Sequence, residues 1–121
     1  MISIVLICGD RYWINKDVIR RELLPLKEHN PNIIIITGAC KGADLLGEEV
    51  AKELGFQIKS YPANWNRHGN AAGPIRNQQM IDENKVDLVL AFHSNINNSR
   101  GTLNMINKAK AKNIPILLIE K

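Results

Sequence analysis

Aromatic residues are scarce in this 121-residue chain, where two Trp, two Tyr and two Phe make up 5%. Any core must therefore be packed from aliphatic side chains, and hydrophobic residues at 45% are plentiful enough to build one. Cysteine is scarce too. Cys8 and Cys40 are too few for a disulfide scaffold, and no secretory signal is read ahead of them, so a reducing compartment, the cytoplasm, is expected. No apolar stretch approaches the length of a bilayer span, which argues against a membrane partner. Repeats, linkers and low-complexity segments are lacking, and the length suits one domain over residues 1–121. Such a chain buries roughly two-thirds of its unfolded surface on folding, so it has no need of a structural metal.

Charge of one sign does not dominate either. Sixteen Lys+Arg against 12 Asp+Glu leave a net charge of +4. The basic residues are scattered, and the densest group, Lys108, Lys110 and Lys112, alternates along a late amphipathic stretch as on a solvated helix face. Nucleic acid is disfavoured as a partner on this pattern, while a small anionic ligand fits it.

What the chain does have is a regular beat of apolar runs. Residues 2–7, 33–36, 86–92 and 114–119 are short and nearly unbroken, with 56–61 as a weaker, alternating version. Runs of this kind suit strands buried on both faces of a parallel sheet. Helical patterns lie between them. Asn15 can cap a helix to about His29, with Pro25 expected to kink or shorten it. Ala43, Leu46, Val50, Ala51 and Leu54 share one helical face, and Gly55 supplies a stop. Pro74 suits the first turn of a third helix over about 75–84, and a fourth is expected over about 101–112. Strands alternating with four helices predict a three-layer α/β domain, a Rossmann-like open parallel sheet of about five strands in the order 3-2-1-4-5.

Ligands of such sheets bind at the carboxyl edge, onto which every strand-to-helix loop opens. The unusual residues collect in those loops: Cys8 to Trp13 after the first strand, Thr37 to Asp44 after the second, Tyr61 to Arg76 after the third, and His93 to Thr102 after the fourth. The opposite edge has ordinary turn residues. Gly38 and Gly42 frame a turn into a helix whose free N–H groups could hold phosphate, or merely a tight connection. Asp44 reads as a dipole-offsetting residue or as an acceptor for ribose hydroxyls or Arg11. Arg76 falls in an expected first helical turn, where a cation opposes the dipole, and so reads as retained for an anion or for a local carboxylate. Trp13 and Trp65 read as lids or stacking surfaces, or as pieces of the core. Ser99-Arg100-Gly101-Thr102 offers a second phosphate cradle. His29, His68 and His93 lack metal-ligand spacing, and no metal or cofactor is expected.

At these residues the sequence resembles the SLOG superfamily, and within it the YspA-type branch related to YpsA. The resemblance rests on Gly9-Asp10-Arg11-Tyr12-Trp13, on Thr37-Gly38-Ala39-Cys40-Lys41-Gly42-Ala43-Asp44, and on Pro62-Ala63-Asn64-Trp65, Gly69, Ala72-Gly73, Arg76-Asn77 and Met80. It implies a Rossmann-like fold that binds a nucleotide or nucleotide-derived ligand, in a superfamily whose members are often proposed as sensors or effectors. The superfamily includes LONELY GUY-type phosphoribohydrolases, which cleave the N-glycosidic bond of nucleoside monophosphates. Their Arg-Lys-x-x-Met motif is similar to Arg76-Asn77-Gln78-Gln79-Met80, with Asn77 in place of Lys. Of their Pro-Gly-Gly-x-Gly-Thr-x-x-Glu motif only Gly101-Thr102 remains, and Met105 stands where the catalytic Glu would fall.

The first expectation is thus a nucleotide-binding module. Gly9, Arg11, Trp13, Gly38, Gly42, Ala43, Asp44, Trp65, Gly73, Asn77, Ser99, Gly101 and Thr102 would contact the ligand, and Arg76 would pair with phosphate. The second is a hydrolase using Arg76 and a carboxylate from Asp10, Asp44 or Glu48, with Asp10 foremost because it lies on the ligand edge. Single-strand nucleic-acid binding is the third and weakest. A homodimer is an open option, as in related folds that pair through helices.

Overall fold

The computed structural model describes residues 1–120. Five strands, β1 (Ile4–Gly9), β2 (Ile34–Thr37), β3 (Gln57–Ser60), β4 (Leu88–Phe92) and β5 (Ile116–Ile119), form one sheet. Its order is β3-β2-β1-β4-β5, every neighbouring pair parallel, as the alternating pattern predicted. Helices α1 (Lys16–His29), α2 (Ala43–Glu53), α4 (Ala72–Glu83) and α5 (Arg100–Ala111) cover the sheet, and a one-turn helix, α3 (Trp65–His68), interrupts the loop after β3. Among the described residues no helix is long and apolar enough to cross a membrane.

Successive strand residues point to opposite faces of the sheet and divide the aliphatic core in two. Val5, Ile7, Ile35, Leu90 and Phe92 face Val18, Ile19, Leu23, Val50 and Ala51 of α1 and α2. Leu6, Ile36, Val89 and Ala91 face Met80, Ile81, Met105, Ile106 and Ala109 of α4 and α5. A sheet buried on both faces needs apolar side chains at consecutive positions, which is why the strands read as unbroken runs.

The boundaries differ from expectation in instructive ways. α1 runs its full length through Pro25. Pro25 is exposed, so its ring and missing N–H fall on the solvated side of the helix, where a break in the hydrogen-bond ladder costs least. α4 begins at Ala72, which makes Pro74 its third residue and moves Arg76 beyond the first turn. β1 and β2 extend to Gly9 and Thr37, so their last residues belong to the sheet and aim the loops that follow.

Candidate functional site

The first loop is clamped onto the start of α2. Gly9 has φ +153, and a Cβ there would lie 2.1 Å from the Phe92 carbonyl oxygen, so only glycine fits where β1 meets β4. Asp10 N–H donates to that same carbonyl (2.8 Å), and the Asp10 carbonyl accepts from Trp13 N–H (3.1 Å) and Ala43 N–H (3.0 Å). The Asp10 carboxylate accepts from Tyr12 N–H at 2.9 Å, closing a local turn. Gly42, at φ +86, is pressed against the Asp10 and Arg11 backbone. Gly9, Gly42 and the buried Ala43 thus have packing reasons of their own.

The second loop is tied more tightly still. The buried Thr37 hydroxyl donates to Glu48 and accepts from Ala39 N–H at 3.0 Å. Cys40 N–H donates to the Asp44 carboxylate (3.2 Å), and Leu45 N–H to the Cys40 carbonyl (3.1 Å). The cradle expected from Gly38 to Asp44 is therefore narrower than the sequence implied, because the Ala39, Cys40, Ala43 and Leu45 amides are already committed within the protein. Asp44 is only 6% exposed. Burial pushes its carboxyl up to about 7, against the opposing pull of the Cys40 N–H bond and the Arg76 guanidinium. Burial of the neighbouring Cys8 raises its thiol well above the ordinary cysteine range.

Arg76 joins the loops. Its guanidinium donates to the carbonyls of Gly38 and Tyr61, to the Asn77 side-chain oxygen (2.9 Å) and to Cys40 Sγ (3.6 Å). A Cβ on Gly38 would sit 2.4 Å from it. Although Arg76 is 8% exposed, no carboxylate among the described residues lies within ion-pair distance of it. It acts as a strut between the loops, and Asp44 answers its charge through space. Asn77 passes the connection on, donating to Asn104 (3.1 Å) and to the Gly101 carbonyl (3.4 Å) at the start of α5. There the Ser99 hydroxyl caps Thr102 N–H (3.2 Å), and Thr102 itself is buried. Arg100 and Gly101 N–H have no acceptor within the protein among the described residues. His93, at the end of β4, is buried and accepts from Asn95 N–H at Nδ1 (2.9 Å).

This constellation spans all four loops, and much of it lies in a segment with a recognisable kinship. A family model described as the YspA, cpYpsA-related SLOG family (YAcAr) matches residues 3–68, more than half of the chain. The chain belongs to this SLOG family. Among curated proteins it is similar to the Gene 61 protein of Mycobacterium phage D29, 29% identical over 119 residues and covering 93% of each chain. Among solved structures it is similar in fold to the C-terminal domain of the PF1911 hydrogenase of Pyrococcus furiosus. There the TM-score is 0.54 at 14% identity, over 97% of this chain and 90% of the other.

In this SLOG chain the two tryptophans part company. Trp13 is 8% exposed, its ring 5.7 Å from that of Phe92 and its indole N–H bonded to the Asn15 carbonyl at 2.9 Å. It closes the core beneath α1 and offers no stacking face, a correction to the lid reading. Trp65 is 56% exposed and lies beside Gly73, whose Cβ would be 3.6 Å from the indole and 3.9 Å from Arg76 Nη2. Pro62, Ala63, Asn64 and Asn66 line a shallow depression with it. Met105 is 1% exposed within the core, so that position of α5 directs no functional group to the edge. Gly101 is the converse of Gly9 and Gly38, since a Cβ there would meet nothing within 4 Å. Thr37, Cys40, His93 and Asn104 are not among the residues expected to contact ligand or to catalyse. Of these, Thr37 and His93 could have been found from their places at strand ends. Among the described residues no group of three or more His, Cys, Asp or Glu could hold a metal ion.

Proposed function

We propose that this protein binds a nucleotide or nucleotide-derived ligand at the carboxyl edge of its sheet, in the manner of a sensor or effector module. The observation that carries the reading is the buried Arg76 beside the buried Asp44. With Asp44 pushed up to about 7, the pair retains net positive charge near neutral pH, beneath an edge on which helix N-termini also present N–H groups. A buried guanidinium without a contact carboxylate lowers stability, which argues for retention of its charge toward an anion. The uncommitted Arg100 and Gly101 amides would take phosphate oxygens, and the exposed Trp65 face beside Gly73 would take the base. Family membership supports a nucleotide-related ligand for the same fold.

A second reading, hydrolysis of a nucleotide N-glycosidic bond, draws on Asp44 rather than Asp10. Its carboxyl is poised near neutrality, where a general acid or base works best. Calorimetric titration with AMP, ADP-ribose and NAD, paired with a chromatographic time course, separates the two. Saturable binding with unchanged ligand supports the module. Release of free base or ribose phosphate, lost in Asp44→Asn, supports the enzyme. Absence of binding to all three compounds refutes the nucleotide reading.

A further inference from the structure

The scattered cations of the sequence become ordered in the fold. Each of four adjacent carboxyl-edge loops carries one exposed cation: Arg67 after β3, Lys41 after β2, Arg11 after β1 and Arg100 after β4. The strand order β3-β2-β1-β4 sets these loops side by side, although their positions in the chain run in a different order. Of the four ion pairs among the described residues, two join α1 to α2 and two lie within α1, and none involves these four cations. Exposed aromatic rings accompany the row. Trp65 stands in the β3 loop and Tyr12, 71% exposed, in the β1 loop, where Lys41 Nζ lies 5.8 Å from its ring centre.

We infer that this edge takes a short single strand of nucleic acid, with successive phosphates along the cation row and bases on Trp65 and Tyr12. The inference rests on the proposed nucleotide site and extends it. Four neighbouring strands span about 14 Å at the spacing of a sheet, a reach that one phosphate cannot fill and several can. Cations beside flat, exposed rings are the combination that binds single strands with little sequence preference. The buried Arg76 adds positive charge beneath the row.

Fluorescence anisotropy with labelled hexanucleotides of dT and rU, in competition with AMP and over a salt series, tests the inference. Hexamer affinity should exceed that of AMP at least tenfold at low salt. Its logarithm should fall with the logarithm of salt at a slope of about −3, from about 0.7 per phosphate contact. Arg67→Gln and Lys41→Gln should each reduce that slope by about 0.7, whereas Lys85→Gln, exposed beyond α4 at the opposite edge, should leave it unchanged. Hexamer binding no tighter than AMP binding overturns the strand inference and leaves the nucleotide site standing. Hexamer binding indifferent to the row variants also overturns it, and absence of binding to both removes the nucleotide reading as well.

Discussion

Asp44→Asn should make this protein more stable at pH 8 and leave its stability nearly unchanged at pH 4. In the folded chain the carboxyl of Asp44 is displaced from 3.8 to about 7. Below the unfolded value both states hold the proton, and the group adds no pH-dependent term. Between that value and about 7 the unfolded chain releases the proton while the folded chain keeps it, so the wild type loses stability as pH rises. The full loss corresponds to about 4 kcal/mol. Asparagine retains an oxygen for Cys40 N–H, and the displacement to about 7 already includes the attraction of Arg76 for the carboxylate. A gain of about 4 kcal/mol at pH 8 follows, shrinking toward zero by pH 4. Urea denaturation of both proteins across this range measures the difference, in which the other carboxylates cancel. A difference that is flat with pH, or Asn destabilising at pH 8, would refute the burial argument.

Gly38→Ala should destabilise the fold by about 1–3 kcal/mol, because its Cβ would meet the Arg76 guanidinium at 2.4 Å; thermal unfolding reads this. Gly101→Ala, with open space around it, should hold or raise stability by up to about 1 kcal/mol while weakening nucleotide binding, as calorimetry beside a melt would show. The tryptophans should separate cleanly. Trp13→Ala should remove about 3–5 kcal/mol of stability, and Trp65→Ala less than about 0.5 kcal/mol. Titration with AMP should show Trp65→Ala weakening binding about tenfold.

Much of the fold was legible because a two-sided buried sheet writes itself as consecutive aliphatic residues, as in the four isoleucines that end at Ile36. Helix limits were less so. Pro25 is tolerated only because tertiary placement turns it to solvent, and α3 is a single turn capped by Asn64, too short for any periodic signal. Loop glycines marked the edge, yet sequence could not distinguish Gly42, required by the Asp10 and Arg11 backbone, from Gly101, required by nothing in the protein. Trp13 and Trp65 looked alike until Phe92 was placed against one of them. Arg11, Lys41, Arg67 and Arg100 are neighbours through a strand order that the sequence also predicted, but their exposure came only with the fold.

The central claim is that ligand binds at the carboxyl edge, and amide NMR shifts on titration with AMP and ADP-ribose test it most directly. The account predicts changes concentrated at Gly38, Asp44, Gly73 and Gly101, together with the Trp65 indole N–H. Changes centred on Asn84, Asp87 and Asn113 at the opposite edge, or no changes with either compound, would contradict it.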